Sequence, residues 1–162
     1  MGCSRKKSSG ISGIDSMKYI TVAAAVIENS QGQLLLVRKK QTQFFMQVGG
    51  KLEANEAAED CLLREIQEEI AVAAQIKQFI GRFETAAANE TDHRLCSYLY
   101  HVTLLGEPQI AAEIAAMQWF DPTTVSASDL LAPLTREVVI PWYLQYAQKR
   151  RRNLSSSSSA VF

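Results

Sequence analysis

The sequence predicts an α/β protein with a mixed β-sheet lying between helices. Three observations lead there. Apolar, β-rich segments alternate irregularly with segments of helical spacing. The first two strand segments are separated by only a short turn, too short for the crossover helix that a parallel pair would need. The chain has 162 residues, 47% of them apolar and 21% charged, which suits one domain around one core.

The elements follow in order. Tyr19 to Ile27 (YITVAAAVI) is almost wholly apolar, the pattern of a central strand buried on both faces. Asn29-Ser30-Gln31-Gly32 carries turn chemistry. Gln33 to Arg38 is a second strand ending in the basic pair Arg38-Lys39. Gly49-Gly50 breaks the chain. From Glu56 to Ile70, the residues Ala58, Leu62, Ile66 and Ile70 recur every four positions and form one helical stripe. Ile76 to Glu84, Leu95 to Leu105 and the short Gln118 to Phe120 read as strands. Asp121-Pro122 opens a loop or helix, and Leu134 to Gln148 reads as a C-terminal helix that Pro141 kinks or delays.

Charge and composition exclude several classes of function. Seventeen basic and seventeen acidic side chains cancel, so no broad nucleic-acid-binding face is expected. No apolar run reaches membrane-spanning length, and no secretory signal is visible. Cys3, Cys61 and Cys96 are an odd, widely spaced set. They fit a reducing cytoplasm better than a disulfide framework or a zinc site, and Cys61 reads as a small buried hydrophobe. Residues 1–16 read as a disordered segment or cloning scar, with Met17 as a natural start. Gly2-Cys3 before Arg5-Lys6-Lys7 resembles an acylated anchor, but Lys6 stands where myristoylation wants Ser or Thr. The domain is thus expected over 17–148, followed by a basic, serine-rich disordered tail over 149–162.

The chemistry concentrates between Gly50 and Val72, GKLEANEAAEDCLLREIQEEIAV. On a helix, Glu65, Glu68 and Glu69 are related by i, i+3 and i+4 and share one face. Six acids against one base between Glu56 and Ile70 leave a local charge of −5. In a balanced protein such a concentration calls for a cation. Hard divalent ions want oxygen ligands, and magnesium takes one or two carboxylates with water and phosphate oxygens completing its octahedron. The acidic face adjoins the apolar stripe instead of opposing it, whereas a merely solvated face would more often lie opposite.

Gly50, Glu56, Arg64-Glu65-Ile66, Glu68-Glu69 and Val72 match in register the signature of the Nudix hydrolases, G-x5-E-x7-R-E-U-x-E-E-x-G-U, with U a bulky apolar residue. Ala71 stands where that family has Gly. Phe45-Met46-Gln47-Val48-Gly49-Gly50-Lys51 resembles the family's lead-in, with Val48 replacing Pro. The resemblance implies a Nudix-type α/β/α sandwich. It also implies a metal site at Glu65, Glu68 and Glu69 for Mg2+, with Mn2+ as a substitute. Glu68 and Glu69 would then serve catalysis, and Arg64 would orient a carboxylate through its guanidinium fork. Ala at position 71 would cost roughly 1 kcal/mol in a left-handed cap, so the helix is expected to run a residue or two further or to end uncapped.

The resemblance further implies Arg38 and Lys39 as candidates for substrate phosphate, with Gly49 and Gly50 allowing close backbone approach. The resemblance also implies Glu113, six residues before Trp119, as the candidate additional ligand or base. Its rival is the loop Asn89 to His93, through Glu90 or His93. Phe44, Phe45, Phe83 and Trp119 are candidates to stack on a base, against a default of core packing. The resemblance implies a hydrolase that splits a phosphoanhydride in a nucleoside-diphosphate-linked substrate, foremost a MutT-like nucleoside triphosphate pyrophosphohydrolase. ADP-ribose or sugar-nucleotide hydrolysis, or a non-catalytic nucleotide sensor, are the alternatives. The expected partner is a small nucleotide, with neither nucleic acid nor membrane, and a homodimer is compatible with the family.

Overall fold

The computed structural model describes residues 17–159. The readings placed on residues 1–16, Cys3 among them, lie outside it. The first strand, β1 (Lys18–Ile27), sits inside a four-stranded sheet. It pairs antiparallel with β3 (Val48–Lys51) and parallel with β5 (His93–Leu104). Strand β4 (Ala74–Ala86) pairs antiparallel with β5 and closes the order β3-β1-β5-β4. A second, two-stranded antiparallel sheet joins β2 (Leu34–Lys39) to β6 (Ile114–Phe120).

The unbroken apolar run of β1 follows from its burial on both faces. Ala23, Ala25 and Ile27 pack with Leu62, Ile66 and Ile70 of helix α1 (Ala58–Ile70). Ala24 and Val26 pack on the other face with Leu99, Leu134, Val139 and Tyr143. Tyr143 belongs to helix α2 (Ile140–Ser159). One helix therefore covers each face of the mixed sheet, as the sequence predicts. Among the described residues, no helix is long and apolar enough to cross a membrane.

Three local expectations are corrected. Gly49-Gly50 does not simply break the chain but forms the middle of β3. A Cβ at Gly49 would lie 2.0 Å from the Ala23 carbonyl oxygen, so glycine is what lets β3 run beside β1 there. Ala71 does take the left-handed conformation, with φ 52° and ψ 41°, and its N–H bonds to the Gln67 carbonyl. The cost of roughly 1 kcal/mol is offset by what the turn permits. Val72 is buried, and the carbonyls of Glu69 and Ile70 accept the N–H groups of Ala111 and Gln109 at 3.0 and 2.8 Å. The C-terminal helix starts as a π-helical turn over Thr135–Val139, just before Pro141, whose nitrogen has no hydrogen to donate. It then continues to Ser159, so the boundary drawn at residue 148 falls inside a helix.

Candidate active site

Helix α1 carries the acids, and one guanidinium organises them. Arg64 Nε and Nη2 donate to the two oxygens of Glu56, each at 2.9 Å. Its Nη1 donates to Glu65 at 3.0 Å and to both oxygens of Glu68 at 3.4 Å. Such a fork needs arginine geometry. The Arg64 fork, aided by the Glu53 N–H, holds the Glu56 carboxyl down at about 2. Below it the buried Cys61 thiol donates to the carbonyls of Gly50 and Lys51, both at 3.5 Å, and burial pushes its pKa up to about 11. It is an inert packing group, as its surroundings in the sequence suggest.

Glu69 stands apart. It is only 5% exposed, accepts the Gly49 N–H at 3.2 Å through Oε1, and leaves Oε2 buried with no partner. Burial raises its pKa to about 7, against the pull of the Lys39 charge and the Gly49 hydrogen bond. A buried carboxylate oxygen without a donor is costly. The neighbouring carboxylates of Glu65 and Glu68 add negative charge instead of relieving it. Gly50 closes the arrangement, because a Cβ there would come within 2.4 Å of the Glu65 carboxyl carbon. Among the described residues, no three metal-ligating groups converge on a point, and Arg64 draws Glu65 and Glu68 to itself. The donor set is nonetheless all oxygen, and its deepest member holds an unused lone pair. That chemistry fits a hard divalent cation.

Gly49, Gly50 and Lys39 also form part of the wall of a cavity of about 350 Å³. Its other walls are mainly apolar, from Ile20, Val22 and Ala24 of β1, Leu95 of β5, and the 132–134 segment ahead of α2. Two buried polar side chains interrupt them. Thr135 Oγ1 donates to Gln47 Oε1 at 2.6 Å. The loop Ala86 to Glu90 supplies the remaining rim.

A model of the NUDIX domain matches residues 18–143. The chain belongs to the Nudix family. It is similar to the 8-oxo-dGTP diphosphatase of Haemophilus influenzae, 34% identical over 97 residues that cover 56% of this chain and 68% of that one. It is also similar to the CTP pyrophosphohydrolase of Escherichia coli, 28% identical over 110 residues covering 65% and 78% of the two chains. Among solved structures, the E. coli ORF135 protein superposes with a TM-score of 0.61 at 28% identity, covering 85% of this chain and 94% of that one. The chain is thus a Nudix pyrophosphohydrolase with MutT-like relatives, from a family that typically depends on a divalent metal.

The Nudix fold gathers some of the sequence candidates and separates others. Glu65, Glu68, Glu69 and Arg64 come together on α1, with Gly49, Gly50 and Lys39 beside them. Arg38 instead donates to the Thr42 carbonyl at 3.0 Å and is not part of the cavity wall. Phe45 packs against Phe120 at 5.2 Å between ring centres, in a small cluster with Leu36 and Leu131. Phe83 and Trp119 also pack against the core. Glu113 is exposed, and its carbonyl accepts the Lys40 N–H. Glu90, from the rival loop, lines the cavity and lies 3.6 Å from both Lys51 and His93. Gln47 and Thr135 are absent from the sequence candidates. They are 88 residues apart, and only the fold brings them together.

Proposed function

We propose that this Nudix enzyme is a magnesium-dependent nucleoside triphosphate pyrophosphohydrolase. The observation that carries the reading is the buried, donor-less Glu69 oxygen, set on one helix face with Glu65 and Glu68 beside a nucleotide-sized cavity. Glu65, Glu68 and Glu69 would hold the ion, with Mn2+ as a substitute. Magnesium there would supply charge neutralisation at the diphosphate and a lower pKa for water.

The chain's own groups have separate tasks. Arg64 keeps Glu65 and Glu68 from splaying into solvent. Lys39 offers a positive charge to substrate phosphate, and Gly49 and Gly50 let the backbone approach it. Water adds to one phosphorus of the anhydride as the bridging P–O bond breaks, and the leaving phosphate group departs with the bond electrons. Glu90 on the cavity rim is the better placed of the two outlying candidates for handling the water's proton. The apolar walls suit a base and sugar, in a volume typical of small-molecule sites. The names of the H. influenzae and E. coli relatives point to the same substrate class.

The test is release of phosphate or pyrophosphate from canonical and oxidised nucleoside triphosphates, ADP-ribose, sugar nucleotides and dinucleoside polyphosphates, with and without magnesium. Triphosphates are expected to turn over fastest and only with the metal. Faster turnover of ADP-ribose or a sugar nucleotide would overturn the substrate assignment. Metal-independent turnover would overturn the carboxylate site.

A further inference from the structure

The cavity contains one buried amide whose orientation is fixed by the fold. Gln47 is 5% exposed and lines the cavity together with Thr135. Its Oε1 accepts the Thr135 hydroxyl at 2.6 Å, and its Nε2 points at the Ala25 carbonyl at 3.4 Å. Turning the amide over would set Oε1 against that carbonyl, acceptor against acceptor. The Ala25 carbonyl, which can only accept, therefore sets the orientation. The Thr135 hydroxyl, which can donate or accept, donates to the oxygen that this leaves facing it and anchors the amide at its second end. A primary amide has two hydrogens and two oxygen lone pairs. One of each is used, and among the described residues no further hydrogen bond takes the others. One donor and one acceptor of the amide remain unused, on a residue that lines a mainly apolar pocket.

From this we infer that the Gln47–Thr135 pair is a specificity element: it sorts nucleotides by the order of donor and acceptor on the edge of the base. The inference rests on the nucleotide reading above. An amide can bond a base edge through two parallel hydrogen bonds when the edge presents the complementary order. Adenine and cytosine present an amino donor beside a ring acceptor. Hypoxanthine and uracil present an oxo acceptor beside a ring N–H. A rotatable amide would serve both orders, whereas one held at both ends serves one and leaves buried groups unpaired against the other. Thr135 is the positioning residue and Gln47 the group that touches the base. The π-helical turn that Thr135 begins, ahead of Pro141, sets where the hydroxyl lies.

The experiment uses base pairs that differ only at this edge: dCTP against dUTP, and dATP against dITP. kcat/KM is measured for each with magnesium. The full-length enzyme is expected to separate the members of at least one pair by roughly 10- to 100-fold. Thr135→Val removes one of the amide's two anchors and lowers that ratio, whereas Thr135→Ser keeps the hydroxyl and keeps the ratio. Gln47→Met abolishes the ratio, with thermal unfolding recorded alongside to show that the protein is folded. Thr135→Val is the milder change and decides the matter if Gln47→Met does not fold. Wild-type ratios near one for both pairs, or a ratio that Thr135→Val leaves intact, would overturn the inference while the pyrophosphohydrolase stands. No magnesium-dependent turnover of any nucleotide would overturn both.

Discussion

Two networks in this protein tie a guanidinium to glutamate, on opposite faces of the same sheet. Beside α1, Arg64 meets Glu56, Glu65 and Glu68, and the nearby Glu69 keeps an oxygen without a donor. Under α2 the proportions reverse. The single carboxylate of Glu28 accepts from Tyr143 at 2.6 Å and Arg150 at 3.0 Å, and lies 3.2 Å from His101 Nε2. Trp142 and Tyr146 stack at 5.1 Å and cover the histidine. The first network has more acids than cations and leaves a buried carboxylate oxygen without a donor. The second is complete and simply pins the helix. A surplus of carboxylate on a buried edge marks a place for a ligand; a balanced cluster marks a place for a joint.

That contrast can be broken experimentally. The largest effect should come from Glu69→Gln, which keeps the shape and removes the charge. Turnover should fall at least ~100-fold, beyond what supporting residues usually cost, while the melting temperature holds or rises because a buried charge is gone. Steady-state kinetics with calorimetry decides it, and full activity would mean that the acidic face is not the site. Arg64→Ala should lower activity ~10- to 100-fold and the melting temperature as well, since it releases Glu56 and scatters Glu65 and Glu68. Arg64→Lys should recover only part of either, for want of the fork.

The clamp should respond in the opposite sense. Glu28→Gln should cost about 1–3 kcal/mol of stability by denaturant unfolding and leave kcat at the wild-type value. A large loss of kcat would show that the two networks are coupled through α2. The smallest effect is in pH dependence. Burial holds the His101 imidazole below its ordinary range, against the pull of Glu28. The unfolded chain therefore binds the proton first as pH falls. Stability is fully present above the ordinary histidine value of 6.5 and declines as pH drops through it toward the lower folded value. His101→Gln should flatten the melting temperature between neutral pH and mild acid. The Arg64 side gives way later, as pH falls from the ordinary carboxylate value of 4.5 toward the value of about 2 that Glu56 has in the fold.

How much of this could be read in advance differed by region. The stripe Ala58, Leu62, Ile66, Ile70 and the acids beside it are local patterns with a helical period, and they lie where that period puts them. Strand β3 was hidden because two glycines carry no β propensity; its conformation comes from its pairing with β1. Ala71 misled for a related reason. The penalty for its backbone is local, whereas the burial of Val72 and the hydrogen bonds from 109 and 111 are not. Phe45 packs with Phe120 and Leu131, and Arg38 bonds the Thr42 carbonyl, contacts that the chemistry of either residue does not foretell. The clamp at Glu28 spans 115 residues to Tyr143 and has no sequence signature at all.

The clearance at Gly50 has a consequence for how such an enzyme can change over generations. Any side chain there meets the Glu65 carboxylate, and relief by shortening residue 65 removes a proposed ligand. Relief by swinging residue 65 aside instead pulls that carboxylate from the place where Arg64 holds it. The strand glycine and the helix acid are therefore one unit, in which a change at either is felt at the other.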